Sequence, residues 1–153
     1  MRPTFFARSF GIFVFACSIS IFSLRAQDIV LETLGVSSGQ AVYLTYVAMG
    51  TVVDAYNANA YDTTTATQML TNYMNMSEAA ANQYKKLIEA NLLTEEDQSY
   101  VVQLSEIYQL LYAEASAFKS YIEGADETYL TIYDARRNEA WTRITGLLGV
   151  SRN

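Results

Sequence analysis

Apolar residues recur at alternating intervals of three and four along one stretch of the chain. The positions of this seam are Val101, Leu104, Tyr108, Leu111, Ala115, Phe118 and Ile122. That spacing places them on one side of an α-helix, with the period near 3.5 residues that is typical of bundle and coiled-coil seams. A seam of this length has to be buried against other helices, so the pattern predicts helix packing rather than a sheet.

Three further segments carry similar apolar stripes, and short polar connections separate them. The expected helices cover about 39–59, 63–91, 95–123 and 127–149. We expect Thr94 and Asp126 to be the N-caps of the third and fourth helices, and Gly124 to end the third in the left-handed conformation. Long helices joined by short connections run antiparallel to their neighbours. The sequence therefore predicts an all-α fold, an up-down-up-down antiparallel four-helix bundle.

A short extra N-terminal helix is expected before the bundle. It covers about 28–34, and Gly35 should stop it because glycine is a poor helix former. Ser37 and Ser38 then offer N-caps for the first long helix. Gly50 interrupts the apolar stripe of that helix at a cost of up to ~1 kcal/mol, and a close crossing of two helices would explain its presence.

The first 26 residues have the pattern of a secretory signal peptide. Arg2 and Arg8 flank a short polar start, an apolar stretch of fifteen residues follows, and the small residue Ala26 precedes a polar sequence. Fifteen helical residues reach only about 22 Å, against about 30 Å of hydrocarbon in a bilayer, so we favour cleavage over a leader that is kept as an anchor. We therefore expect cleavage near Ala26, a single helical-bundle domain over 27–153, and export to the periplasm or the cell exterior.

The balance of charge changes at the same boundary. The formal net charge of the chain is −6, and removal of the three arginines of the leader would bring it to −9. Such an acidic surface repels nucleic acid and anionic lipid headgroups. We expect no nucleic-acid partner and no stable membrane anchor after processing. Cys17, the only cysteine, lies within the leader, so packing alone would stabilise the exported domain.

Residues that common catalytic and metal sites require are missing from the sequence. There is no histidine, which excludes Ser-His-Asp and Cys-His nucleophiles and histidine-ligated zinc, haem or di-iron. The glycine-rich motifs that bind phosphate are also missing. The polar residues at the first turn (Asp54, Asn57, Asn59, Asp62 and Thr63) lack the EF-hand pattern and are better explained as helix ends. We expect neither enzymatic activity nor a bound metal or cofactor.

Arg137 is the main candidate for a ligand or partner site. It falls on the core-facing stripe of the fourth helix, where a guanidinium needs acceptors. In a functional interpretation it holds an anionic ligand group, with Tyr108 or Tyr112 nearby. In a structural interpretation, which we favour, it extends its charged head group to solvent or pairs with an acid such as Glu114 on a neighbouring helix.

The remaining carboxylates and tyrosines fit ordinary helical positions. Glu106 and Glu114 lie on the flanks of the seam helix, outside the seam, so the sequence gives no reason to expect a raised pKa for either. The 12 tyrosines fall mostly on or beside the apolar stripes, which favours a role in the core. A row of exposed tyrosines would instead indicate a protein or glycan partner.

These observations lead to one hypothesis and one alternative. The hypothesis is an exported, non-catalytic helical bundle that acts as an interaction or scaffold module, with an unknown protein or small-molecule partner and with homodimer formation left open. The alternative is a carrier that binds a small apolar or aromatic ligand between helices, lined by Met49, Tyr84, Tyr108 and Arg137. A filled core with an exposed apolar strip favours the module, and a cavity beside Arg137 favours the carrier.

Overall fold

The computed structural model describes the backbone of residues 6–150 and the side-chain surroundings of Ile29 and of residues 31–150. The helices are α1 (Phe6–Asn57), α2 (Thr63–Glu89), α3 (Glu95–Gly124) and α4 (Thr128–Leu148). Helix α3 packs against both α2 and α4, and aromatic contacts join α1 to α3 and α4. The described residues contain no strand. The predicted all-α fold, a four-helix bundle, is confirmed.

The chain divides into two compact units, Met1–Ser37 and Ser38–Asn153. The bundle core and all contacts discussed below belong to the second unit. The predicted leader, residues 1–26, lies outside the residues whose side chains are described, so its cleavage and the domain start at residue 27 stay predictions. Among the described residues, no helix combines the length and the hydropathy that crossing a bilayer requires.

The short N-terminal helix predicted over 28–34 is not confirmed as a separate element. Helix α1 runs without interruption through Gly35, and Ser37 and Ser38 are interior residues rather than N-caps. A single glycine inside a helix costs only about 1 kcal/mol relative to alanine, which a long helix tolerates.

Side-chain N-caps are present at the start of α2 and α3, and the second of them, Thr94, is the one predicted. The side chain of Asp62 accepts a hydrogen bond from the Thr65 amide at 2.7 Å. The hydroxyl of Thr94 accepts one from the Asp97 amide at 3.2 Å. The first amides of a helix have no partner within it, so each cap satisfies a group that would otherwise depend on water.

The connection between α3 and α4 differs from the prediction by one residue. Gly124 is still part of α3, and the left-handed residue that follows is Ala125, with φ 53°. Its amide donates to the Tyr121 carbonyl at 2.8 Å, which closes the last turn of the helix. The N-cap position of α4 is Glu127, not Asp126 as predicted. Asp126 nevertheless accepts a hydrogen bond from the Thr128 amide at 2.9 Å.

The seam of α3 forms the centre of the core. All its residues are buried except Ile122, which is half-buried. The neighbouring helices contribute Val42, Met49, Val53, Leu70, Ala81, Ala140 and Ile144. The ring of Phe118 contacts those of Tyr56, Tyr121 and Tyr133, with centroids 6.0, 5.7 and 5.0 Å away. These rings tie α1, α3 and α4 together at one level of the bundle.

Candidate functional site

An ion pair between α3 and α4 is fully buried at its acidic end. The Nη1 atom of Arg137 donates a hydrogen bond to Oε1 of Glu114 at 2.6 Å. The Glu114 side chain is 0% exposed and that of Arg137 is 26% exposed. The predicted pairing of Arg137 with an acid on a neighbouring helix is therefore confirmed.

Glu114 lies on a flank of the seam helix, as predicted, but its burial and its raised pKa were not predicted. Because α3 has neighbours on more than one side, its buried surface extends beyond the seam to Ile107, Glu114 and Ala117. Burial raises the pKa of Glu114 to about 7, even though the hydrogen bond and the charge of Arg137 act to lower it. Loss of water around a carboxylate disfavours its charged form, and here that effect is the largest.

Within the described residues, only one oxygen of the Glu114 carboxyl group has a hydrogen-bond partner. Oε2 is buried, and within the described part of the chain it makes no hydrogen bond. A buried acceptor without a donor costs about 1–3 kcal/mol, and more when it carries charge. The orphaned oxygen thus acts in the same direction as burial, toward the neutral carboxyl group.

The Arg137 guanidinium lies against α1 as well as α3. Its Cζ atom is 4.2 Å from the centre of the Tyr46 ring. Nη1 also lies 3.5 Å from the Tyr46 carbonyl oxygen, a long and weak hydrogen bond. A Cβ added to Gly50 would lie 2.3 Å from Nη2, so the missing side chain forms a notch that accepts the guanidinium. This side-chain contact explains why residue 50 is a glycine.

An aromatic stack borders the guanidinium. The rings of Tyr46 and Trp141 are stacked, with centroids 5.4 Å apart and an interplanar angle of 30°. Trp141 has a second aromatic neighbour, Tyr43, and the centroids of these two rings are 6.4 Å apart. Trp141 is the only tryptophan in the chain, so its fluorescence reports on the surroundings of Tyr46 and, through that ring, of Arg137.

We define the Arg137 cluster as Tyr46, Gly50, Glu114, Tyr133 and Arg137. Tyr133 lies one turn before Arg137 and is buried, and that burial raises the pKa of its hydroxyl. Tyr133 therefore stays neutral at ordinary pH. Chemically, the cluster can take up or release one proton at Glu114, beside a fixed positive charge and out of contact with bulk water.

The other two candidate residues lie elsewhere. Tyr108 is buried, and its ring stacks on that of Tyr84 with centroids 5.9 Å apart. Tyr112 is 37% exposed and lines a groove between α2 and α3, with Lys85 and Gln109. The structure thus brings together Arg137 and Glu114 and places the two tyrosines at other positions on α3. The sequence reasoning missed Tyr46, although the interruption of the α1 stripe at Gly50 marked this part of the helix.

We expect Gly50→Ala to destabilise the protein by about 2 kcal/mol at pH 8, because the new methyl group displaces the guanidinium and breaks a buried ion pair. The better helix propensity of alanine offsets only up to ~1 kcal/mol of this loss. Urea unfolding followed by circular dichroism measures the change.

Gly146→Ala is the matched control, because it replaces a helical glycine that has no atom within 4 Å of its added Cβ. This variant should be neutral or slightly stabilised. Equal behaviour of the two variants would contradict the notch at Gly50.

Comparison with protein-family models, curated protein sequences and solved structures finds no match to this chain. Within the described residues, no three acidic or cysteine side chains are grouped closely enough to hold a metal ion. Evidence on function therefore comes from the exposure and chemistry of the residues themselves.

Proposed function

We propose that this protein is an exported, non-catalytic helical bundle that acts as an interaction module and binds a partner protein through the outer face of α1. The outer face consists of Gln40, Tyr43, Leu44, Val47 and Thr51. Its apolar members are large and open to solvent: Leu44 is 62% exposed, and Tyr43 and Val47 are each 40% exposed. This exposed apolar strip, on a helix whose opposite side is in the core, is the observation that carries the proposal.

The outer face is unusual in having no charge. No charged residue occurs between Ser38 and Val53, although the chain has 16 acidic residues. Solvated helix faces normally carry charged side chains. The Thr51 hydroxyl donates to the Val47 carbonyl at 3.1 Å, so it already has a partner and its burial would be inexpensive. These features support contact with an apolar protein surface rather than with water.

The spacing of the outer face indicates the kind of partner. Counted from Gln40, its other residues lie three, four, seven and eleven positions further along the helix, which matches the ridges that pack into the grooves of another helix. We therefore propose an amphipathic helix of a second protein as the occupant. Since Asp54 follows the outer face on the same helix and the chain has a net charge of −6, basic residues at the edge of the partner helix would improve the fit.

The carrier alternative has less support. It requires a cavity beside Arg137, whereas two grooves in the described part of the chain lie between α2 and α3 and are lined by Lys85 and Gln109. Met49, expected on the cavity wall, is 1% exposed and packed in the core.

Photo-crosslinking in the producing cell tests the interaction module. A photoreactive amino acid at Val47 should give one dominant protein adduct, identified by mass spectrometry. The same group at Leu92, which is 80% exposed in the α2–α3 connection, should not give that adduct. An adduct of twice the chain mass would show that the occupant is a second copy of this chain and not a different protein. Equal adducts at Val47 and Leu92 would contradict the proposal.

Leu44→Glu separates binding from folding. Glutamate on an exposed helix position should change the free energy of unfolding by less than about 0.5 kcal/mol, yet it puts a charge in the middle of the apolar contact. We expect the Val47 adduct to disappear while the melting temperature is kept. An adduct that survives this substitution would show that the outer face is not the binding surface.

Export is tested independently by the intact mass of the protein recovered from the exported fraction. The signal-peptide pattern predicts a chain that begins at Gln27. Recovery of the unprocessed chain from the cytoplasm would contradict this part of the proposal alone.

A further inference from the structure

The Arg137 cluster contains a proton-binding group that the proposed binding face does not use. Glu114 is 0% exposed, one of its oxygens holds Arg137, and the other has no partner among the described residues. Arg137 itself is 26% exposed, so its head group lies at the end of the cluster nearest to solvent. A long side chain in that position can keep its stem packed while its charge moves out to water.

We infer that Glu114 and Arg137 form a proton-controlled clamp, in which the ionised carboxylate holds the guanidinium in the Gly50 notch and protonation of Glu114 releases it toward solvent. The geometry supports both states. In the closed state the short 2.6 Å hydrogen bond links α3 to α4, while the guanidinium rests on α1. Without the carboxylate charge, the Tyr46 ring and a 3.5 Å contact to its carbonyl remain, and both are weak beside hydration of the guanidinium.

Among the charged and titratable groups of this region, we assign the uptake of the proton to Glu114. Helix α4 contributes Arg137 and Tyr133, and α1 contributes Tyr46 and, through its effect on Tyr133, Asp54. The buried residues of α2 are not ionisable: Ala66, Leu70, Ser77 and Ala81. Burial raises the pKa of Glu114 to about 7, so the clamp would change state near neutral pH.

The sign of the pH dependence distinguishes this clamp from an ordinary salt bridge. The pKa of Glu114 is about 7 in the folded chain, above the value of 4.5 for a free carboxyl group, so the folded state binds this proton more tightly. Stability should therefore rise as the pH falls from about 7 toward 4.5, even as the clamp opens. An ordinary salt bridge lowers the pKa of its acid and loses stability on acidification.

Trp141 fluorescence and the urea midpoint, measured between pH 5 and 9, test the first half of the inference. The unaltered protein should show one fluorescence transition near pH 7 and a urea midpoint that increases below it. In Glu114→Gln both quantities should be flat over this range. Glu106→Gln is the matched control, because it removes an exposed α3 carboxylate paired with an α4 arginine, and it should keep the transition. A transition that persists in Glu114→Gln, or is missing from the unaltered protein, would overturn the inference.

Proton exchange at the Arg137 Nε–H group, followed by NMR, tests the release itself. Exposed Arg136 on the same helix is the internal reference for the intrinsic effect of pH on exchange. We expect the exchange rate of Arg137 relative to Arg136 to increase several-fold between pH 8.5 and pH 5.5 in the unaltered protein. An unchanged ratio, with Glu114 shown to be protonated, would mean that the clamp stays closed and would overturn the inference.

Discussion

Arg137→Met is expected to lower the free energy of unfolding by about 3–5 kcal/mol at pH 9, because it leaves the charge of Glu114 buried without a partner. Methionine keeps much of the apolar stem of arginine, so the loss comes mainly from the guanidinium. Glu114 has no exposed surface, and its second oxygen has no hydrogen-bond donor within the described residues. Among the described residues, Arg137 is the only basic side chain that pairs with Glu114.

The effect of this substitution should depend strongly on pH. Arg137 lowers the pKa of Glu114 by its hydrogen bond and its charge, so without it that pKa rises above about 7. At pH 5 the carboxyl group is neutral in both proteins, so no charge is buried without a partner, and the difference should shrink to about 1 kcal/mol or less. Urea unfolding at the two pH values measures both quantities. A loss of equal size at pH 5 and pH 9 would mean that charge burial is not its cause.

Two controls separate charge burial from a general loss of packing. Arg136→Met removes an exposed arginine whose salt bridge to Glu139 lies at the surface, and it should change stability by at most about 0.5 kcal/mol. The double variant Glu114→Met with Arg137→Met removes both charges, and it should recover most of the stability that Arg137→Met alone loses.

Helix positions could be predicted because they depend on local pattern. The three-four spacing from Val101 to Phe118 marks a buried helix face whatever it packs against. Asp62 and Thr94 mark helix starts because their side chains satisfy neighbouring amides. Gly35 is a weak stop signal, because its helix penalty of about 1 kcal/mol is small beside the hydrogen bonds of a continuous helix.

The partner of Arg137 was predictable, but its surroundings were not. A guanidinium on an apolar stripe needs an acceptor, which pointed to Glu114. The depth of Glu114, however, depends on how many helices cover α3 and on how each is rotated, and one helix's own pattern does not contain that information. The same rotation decides that Tyr108 is buried whereas Tyr43 faces solvent.

Phe118→Ala is expected to lower the free energy of unfolding by about 3–5 kcal/mol at every pH between 5 and 9. Phe118 is 1% exposed and contacts the rings of Tyr56, Tyr121 and Tyr133. Its removal leaves a cavity where three helices meet, and the surrounding rings are too rigid to fill it. Calorimetry and urea unfolding measure the loss.

The pH independence of this effect separates it from that of Arg137→Met, because no ionisable group loses its partner. Phe118→Leu, which keeps much of the side-chain volume, should cost less than about 1.5 kcal/mol. Leu92→Ala is the control for an exposed position, since Leu92 is 80% exposed, and it should change stability by no more than about 0.5 kcal/mol. If Phe118→Ala lowered the free energy of unfolding as little as Leu92→Ala, the packing of rings around Phe118 would not be what stabilises the contact of α1, α3 and α4.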